Sequence, residues 1–171
     1  MYHLQTLKDY MRWGASQFLE AELHYGHGMS SALDEAVYLV LRSLHLPVDT
    51  PEIYWDGRLT DDEKKSVINI IHQRIETKKP AAYLMKEGWF AGLPFYINES
   101  VLVPRSPIAE LVEQQFSPWV DPSSVENILD LCTGSGCIGI ACAYAFPEAT
   151  VDISDVSSDA LEVATINVDR H

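Results

Sequence analysis

Apolar residues in the first third of the chain recur at helical spacing. Leu7, Tyr10, Met11 and Phe18 share one stripe behind Thr6, a residue suited to accept a hydrogen bond from the first turn of a helix. Gly26 and Gly28 close that region. Ser31 and Asp34 then resemble a capping box, followed by an expected apolar face of Leu33, Val37, Val40, Leu41 and Leu44, and Pro47 and Pro51 stop this second helix. In "LTDDEKKSVINIIHQRIETKKP" Thr60 caps, Glu63 occupies the third helical position, and Ile68, Ile71 and Ile75 face inward before Pro80. Three short amphipathic helices imply a small bundle.

The pattern changes at residue 88. "GWFAGLPFYI" gathers aromatic and β-branched residues around Ala91-Gly92, which predicts a hairpin. "VLVPRSP" runs extended, "IAELVEQQF" gives a short helix, and "SPWVDPSS" has the composition of a linker. A strand over Asn127–Leu131, a glycine loop, a helix through Phe146, a strand over Thr150–Asp155 and a helix from about Ser158 follow. That β-α-β-α order predicts the start of a parallel sheet, hence an α/β fold.

Composition narrows the choices. With 171 residues, 47% of them hydrophobic, the chain can bury a core, and no apolar run approaches a membrane span. Without a basic, apolar leader at its start, a cytoplasmic protein is expected. Residues 1–100 hold 10 Lys/Arg against 14 Asp/Glu, and residues 101–171 hold 2 against 11. Such a surface disfavours direct contact with nucleic acid and favours a basic protein or a cationic small molecule, although acidity also serves solubility alone. Cys132, Cys137 and Cys142 form no Cys-x-x-Cys pair and are expected to be reduced, packed thiols. "HYGHG", with His24 and His27, is expected to be a turn and no metal site.

The stretch richest in chemistry is "ILDLCTGSGCIG", residues 128–139. Gly134, Gly136 and Gly139 spell G-x-G-x-x-G, whose backbone N–H groups can approach a ligand closely. Asp155, 21 positions after Gly134, stands where a nucleotide fold places the carboxylate that takes ribose hydroxyls. Asp130 discriminates between cofactors. A dinucleotide would set its pyrophosphate beside that carboxylate, at a cost. S-adenosylmethionine brings a sulfonium and an ammonium, for which Asp130 is attractive. A plainer role leaves Asp130 as a cap for loop N–H groups.

Together, "FAGLPFYINESVLVPRSPIAELVE" and "ILDLCTGSGCIGIACAYAFPEA" resemble the protein-glutamine methyltransferases that act on translation proteins. Pro104-Arg105-Ser106-Pro107 and the helical start, "LKDYMRWGASQF" and "YGHG", are similar to the branch modifying ribosomal protein L-three. The release-factor branch carries Asp-Thr-Glu where Ile108, Ala109 and Glu110 stand here. The resemblance implies a Rossmann-like S-adenosylmethionine-dependent methyltransferase sheet. Its cofactor site would comprise Asp130, Cys132, Thr133, Gly134, Ser135, Gly136 and Asp155, with Pro104 and Arg105 beside them. Phe90, Gly92 and Phe95 would lie nearby, although for both phenylalanines a place in the hairpin core is the simpler expectation.

The implied organisation is a helical substrate-recognition domain over 1–84, a β-hairpin connector over 85–106, and the N-terminal part of a methyltransferase domain over 107–171. The implied reaction is methylation of a glutamine amide in a basic ribosomal protein. The family orients that amide with an Asn-Pro-Pro-Tyr motif, which does not occur in these 171 residues. The expectation is therefore a part of a longer enzyme, inactive alone. An NAD-dependent oxidoreductase and a non-catalytic protein-binding module are the competing classes.

Overall fold

The computed structural model describes residues 3–26 and 28–171, in two compact units, residues 1–85 and 86–171. The architecture is mixed α/β, with helices in the first unit and two small sheets in the second.

The first unit is helical: α1 (Leu7–Glu20), α2 (Ala32–Ser43), α3 (Asp61–Thr77) and α4 (Ala81–Met85). Thr6 and Asp9 form a reciprocal capping box at α1, as do Thr60 and Glu63 at α3. At α2 only half the expected box forms. The Ser31 hydroxyl accepts from the Asp34 N–H, while the Asp34 carboxylate accepts from the Ser30 hydroxyl instead. The apolar face of α2 is also rotated from expectation, because this helix packs on α1, α3 and α4 at once. Leu33 is exposed, whereas Ala36, Leu39, Val40 and Leu41 are fully buried. On α3 the buried stripe is Val67, Ile70, Ile71 and Arg74, with Ile68 and Ile75 partly covered. Gly14 sets the helix spacing: a Cβ there would lie 2.9 Å from the Ile71 side chain and 3.4 Å from Ala36. The fourth helix, α4, was not expected; it starts directly after Pro80, whose fixed φ suits a first helical turn.

A buried ion pair ties these helices together. Arg74 donates through Nε and Nη2 to both carboxylate oxygens of Glu35, at 2.9 and 3.1 Å, and also to the His24 carbonyl at 3.0 Å. The Ala81 N–H donates to Glu35 at 3.2 Å, so the carboxylate fixes the start of α4 as well. His24 thus serves through its backbone. Among the described residues no group of three or more His, Cys, Asp or Glu converges as a metal site would; the expectation for His27 lies outside the described residues.

In the second unit β1 (Glu87–Phe90) and β2 (Leu93–Tyr96) pair antiparallel, with Glu87 opposite Tyr96 and Phe90 opposite Leu93. Ala91 and Gly92 both take positive φ, 47° and 74°, the two-residue turn that matches strand twist. A short α5 (Ile108–Glu113) follows. Strands β3 (Asn127–Leu131) and β4 (Thr150–Ser154) pair in parallel, Asn127 against Thr150 through Leu131 against Ser154. Between them runs α6 (Cys137–Ala145), and α7 (Ser158–Arg170) follows β4. A parallel pair needs such a crossover, and a helix supplies it. Among the described residues no helix is long and apolar enough to cross a membrane.

Candidate functional site

The loop between β3 and α6 reverses the chain within a few residues, and left-handed backbone makes this possible. Cys132, Gly134 and Gly136 have φ of 59°, 56° and 81°. Only two of those three are glycine, so Cys132 carries local strain. Its thiol is exposed, which corrects the expectation that all three cysteines pack; Cys137 and Cys142 are buried. Burial pushes the Cys137 and Cys142 thiols above their ordinary pKa.

The three glycines of the motif serve different ends. A Cβ at Gly134 would meet nothing within 4 Å, so the loop is open there to an approaching group. At Gly136 it would touch Ala164 of α7 at 3.4 Å. At Gly139 it would lie 2.6 Å from Ile153 and 3.2 Å from the Asp130 carboxylate. Gly139 is therefore a packing glycine that lets α6 lie on β4, while Gly134 faces open space.

Two carboxylates brace the loop. Asp130 uses one oxygen, Oδ2, to accept from the Thr133 hydroxyl at 2.6 Å and from the Gly139 N–H at 2.9 Å. It thereby caps the first turn of α6, where a negative charge also favours the helix dipole. The plainer role for Asp130 is thus present, and it leaves Oδ1 outside both contacts. Asp155, just beyond β4, divides its oxygens: Oδ2 accepts from the Gly134 N–H and Oδ1 from the Ser157 N–H, each at 2.9 Å. These backbone donors, Ser157 foremost and then Gly134, hold its carboxyl below the usual aspartate pKa. The Thr133 N–H in turn donates to the Ser154 carbonyl at 2.9 Å, and Thr133 and Ser135 are buried. Asp130, Thr133, Gly134 and Asp155 are therefore one hydrogen-bonded constellation.

The predicted residues Pro104, Arg105, Phe90 and Phe95 make no hydrogen bond to it among the described residues. Pro104 packs against the hairpin, where a Cβ at Gly88 would come within 2.8 Å of its Cδ. Arg105 is exposed and forms no ion pair among the described residues. Phe90 and Phe95 are buried, Phe95 against the His171 ring at 5.0 Å between centroids.

Sequence reasoning missed Asn167. This residue of α7 is fully buried, and its amide makes three hydrogen bonds. Its Oδ1 accepts from the Tyr96 N–H at 2.7 Å, while Nδ2 donates to the Tyr96 carbonyl at 2.9 Å and the Ser135 carbonyl at 2.8 Å. One side chain thus completes the polar edge of β2 and pins the glycine loop. The available signal was a lone Asn among the inward positions of an amphipathic helix, Ala160, Val163 and Ala164. The Arg170 guanidinium adds a contact 5.1 Å from the centre of the Tyr96 ring.

A cleft of about 610 Å³ lies elsewhere in this unit: Ile140, Tyr144, Val151, Ile153 and Val168 line it, and no residue of the 132–136 loop does. The cleft offers the hydroxyls of Tyr144 and Thr165 and the His171 ring but no carboxylate, whereas the loop has two carboxylates and several N–H groups.

Comparison with known proteins bears on the same segment. A family model described as a methyltransferase small domain matches residues 114–171, covering the loop, both carboxylates and Asn167. Three curated relatives are each named ribosomal protein uL3 glutamine methyltransferase. The Bordetella pertussis protein is 52% identical over 166 residues, 96% of this chain and 56% of its own length. The Burkholderia pseudomallei protein is 50% identical over 98% of this chain and 55% of its own. The Francisella tularensis protein is 46% identical over 99% of this chain and 54% of its own. The chain spans about half the length of the curated relatives it matches. Identity of this order across nearly every residue places it by descent: the chain belongs to the protein-glutamine methyltransferase family, in the branch whose relatives are named for ribosomal protein uL3.

Proposed function

We propose that the protein to which this chain belongs methylates a glutamine side-chain amide of the ribosomal protein uL3, with S-adenosylmethionine as methyl donor. The observation that carries the reading is the braced loop: Asp130 and Asp155 each hold a backbone N–H of the turn while Gly134 opens to free space. The β3-α6-β4-α7 order of this segment supports a Rossmann-like methyltransferase sheet. The first unit then serves to recognise the acceptor protein, and the hairpin connects it to the methyltransferase unit.

The donor set fits a cationic cofactor bearing an adenosine. Asp155 keeps acceptor capacity on both oxygens for ribose hydroxyls, since each holds one N–H. Asp130 places a negative charge at the loop, with Oδ1 outside its two contacts, where it attracts a sulfonium or ammonium and repels a pyrophosphate. Cys132, Thr133, Ser135 and Gly136 supply the backbone around the bound group. Pro104 and Arg105 belong to this site only as residues beside it. When bound, S-adenosylmethionine supplies a methyl group on a positive sulfur. The chain's contribution is to hold that group in one orientation and to keep the loop from collapsing. Positioning is the principal demand, because an amide nitrogen is a weak nucleophile whose approach must be in line.

The test uses the complete protein with purified uL3 from its own cell, followed by mass spectrometry of the acceptor. The expected result is one added methyl on a glutamine, dependent on S-adenosylmethionine and unaffected by NAD. Titration with each cofactor runs beside it, where NAD binding without S-adenosylmethionine binding would overturn the assignment of Asp130. Binding of uL3 with no methyl transfer under any cofactor would instead favour a docking module.

A further inference from the structure

The helical unit carries a cleft that its own packing does not explain. About 490 Å³ in volume, it is lined by Leu7, Leu44, Leu46 and Leu59 together with the charged residues Asp49, Arg58 and Glu63. Its wall is the segment from Pro47 to Leu59, which joins α2 to α3. It holds large apolar side chains out in solvent: Ile53 is 84% exposed, Tyr54 63% and Val48 50%.

The wall is nonetheless firmly built. Leu7 and Lys8 at the start of α1 donate backbone hydrogen bonds to the Gly57 and Trp55 carbonyls at 3.1 and 3.0 Å, and the Leu59 N–H donates to Gln5 at 2.9 Å. The Trp55 indole donates to the Thr50 carbonyl at 3.3 Å. Gly57 is required for the turn, since a Cβ there would lie 2.9 Å from the Tyr54 carbonyl. The exposed side chains are therefore presented on a fixed frame, which lowers the ordering cost of binding.

Charge identifies the occupant. Residues 48–63 hold six Asp/Glu and one Lys/Arg, whereas the rest of residues 1–85 holds six Asp/Glu and eight Lys/Arg. The acidic surplus of the helical unit thus lies in this connection and in the first turn of α3 that follows it. Asp61 and Asp62 are paired with Lys64 and Lys65, but Asp49, Glu52 and Asp56 have no ion-pair partner among the described residues. An apolar cleft beside a segment whose carboxylates outnumber its one cation, Arg58, complements a cationic segment bearing an apolar anchor.

We infer that this cleft docks a Lys/Arg-rich segment of the acceptor protein, one apolar side chain entering beside Tyr54 while flanking cations meet Asp49, Glu52 and Asp56. The inference rests on the proposed acceptor, and it places recognition at a surface distinct from the glycine loop. It makes the helical unit an anchor that raises the local concentration of the glutamine-bearing protein.

The experiment measures binding of fluorescently labelled uL3 to the complete protein by anisotropy, with S-adenosylmethionine affinity and thermal midpoint recorded in parallel. The double substitution I53S/Y54S should weaken uL3 binding roughly tenfold or more. D49N/E52Q/D56N should weaken it at low salt and flatten its salt dependence. Both variants should keep the wild-type thermal midpoint, because every altered side chain is exposed. Unchanged uL3 affinity in both variants would overturn the inference, as would absence of uL3 binding by the wild type. Concentration-dependent dimerisation that I53S/Y54S abolishes would overturn it too, by giving the cleft to a second copy. Wild-type uL3 binding that the variants lose, without methyl transfer, would uphold the cleft and sink the proposed reaction alone.

Discussion

The two units solve the same stability problem by partly different means. The helical unit buries apolar side chains on every helix, with Phe18, Ala36, Leu39, Val67 and Ile71 fully enclosed. In the unit over residues 86–171, β3 and β4 alternate between half-covered and exposed positions, with Leu129 59% and Leu131 67% exposed. That unit too buries apolar side chains, Phe95, Ile97, Ile140 and Val163 among them, and around the loop it adds directed hydrogen bonds at three side chains: Asp130, Asp155 and Asn167. Burial is additive and tolerant; a hydrogen-bond clamp is local, and removing it leaves orphaned partners. The loop bearing the proposed chemistry thus adds the more specific and less redundant kind of interaction to packing, which suits a site where backbone N–H groups must point in fixed directions.

The sharpest way to break this contrast lies inside the helical unit, at the buried Glu35–Arg74 clamp. Arg74→Ala leaves the Glu35 carboxylate buried with only the Ala81 N–H as a recorded donor. Removing one member of a buried pair costs about 3–5 kcal/mol. Urea unfolding should show that loss, and the Glu35→Met/Arg74→Met double variant should recover much of it. Equal stability of Arg74→Ala and wild type would mean that apolar burial alone specifies this unit.

Next in size is Asn167→Ala. It strands the Tyr96 N–H and carbonyl and the Ser135 carbonyl, at a cost of about 1–3 kcal/mol for a buried polar group left unpaired. As a positioning residue, Asn167 should also affect the loop. The expected result is weaker S-adenosylmethionine binding at temperatures where the variant remains folded, with chemical-shift changes at both Tyr96 and Ser135. A stability loss with unaltered cofactor affinity would reduce Asn167 to a purely structural tie.

Legibility in the sequence followed the same division. Caps, helical periodicity and turn chemistry act over three or four residues, so the Thr6 cap, Thr60-Glu63 and Ala91-Gly92 could be read directly, while Asp9 as the reciprocal partner of Thr6 was missed. The Asp130–Gly139 and Asp155–Gly134 contacts join strand to loop within a motif of known spacing, and the motif pointed to those carboxylates before any coordinates. What escaped depends on long-range geometry. The rotation of α2 that exposes Leu33 is set by three neighbouring helices at once. Asn167 meets Tyr96 across 71 positions, and Glu35 meets Arg74 across 39, and neither separation leaves a local pattern. The exposure of Cys132 accompanies its left-handed backbone, a state unusual for any residue with a Cβ.

The smallest effect concerns pH, and its sign is fixed by Asp155. The Ser157 and Gly134 N–H groups stabilise the charged carboxylate, so its folded pKa lies below the unfolded value of 3.8. A group depressed on folding contributes stability that is present above its unfolded pKa and lost as pH falls through its folded one. The brace should therefore remain complete from neutral pH down to the unfolded value and loosen only below it. Amide chemical shifts of Gly134 and Ser157 report this directly, because both donate to the titrating group. They should stay flat over the neutral and mildly acidic range and then move together, with one midpoint below 3.8. In Asp155→Asn, which keeps the shape without the charge, that shared transition should vanish. A midpoint at or above 3.8 would mean that the carboxylate is not held by those donors, and separate midpoints would mean that the loop and the start of α7 are not braced by one side chain. Either result would remove the central difference between the two units, since the loop would then owe its shape to packing, as the helical bundle does.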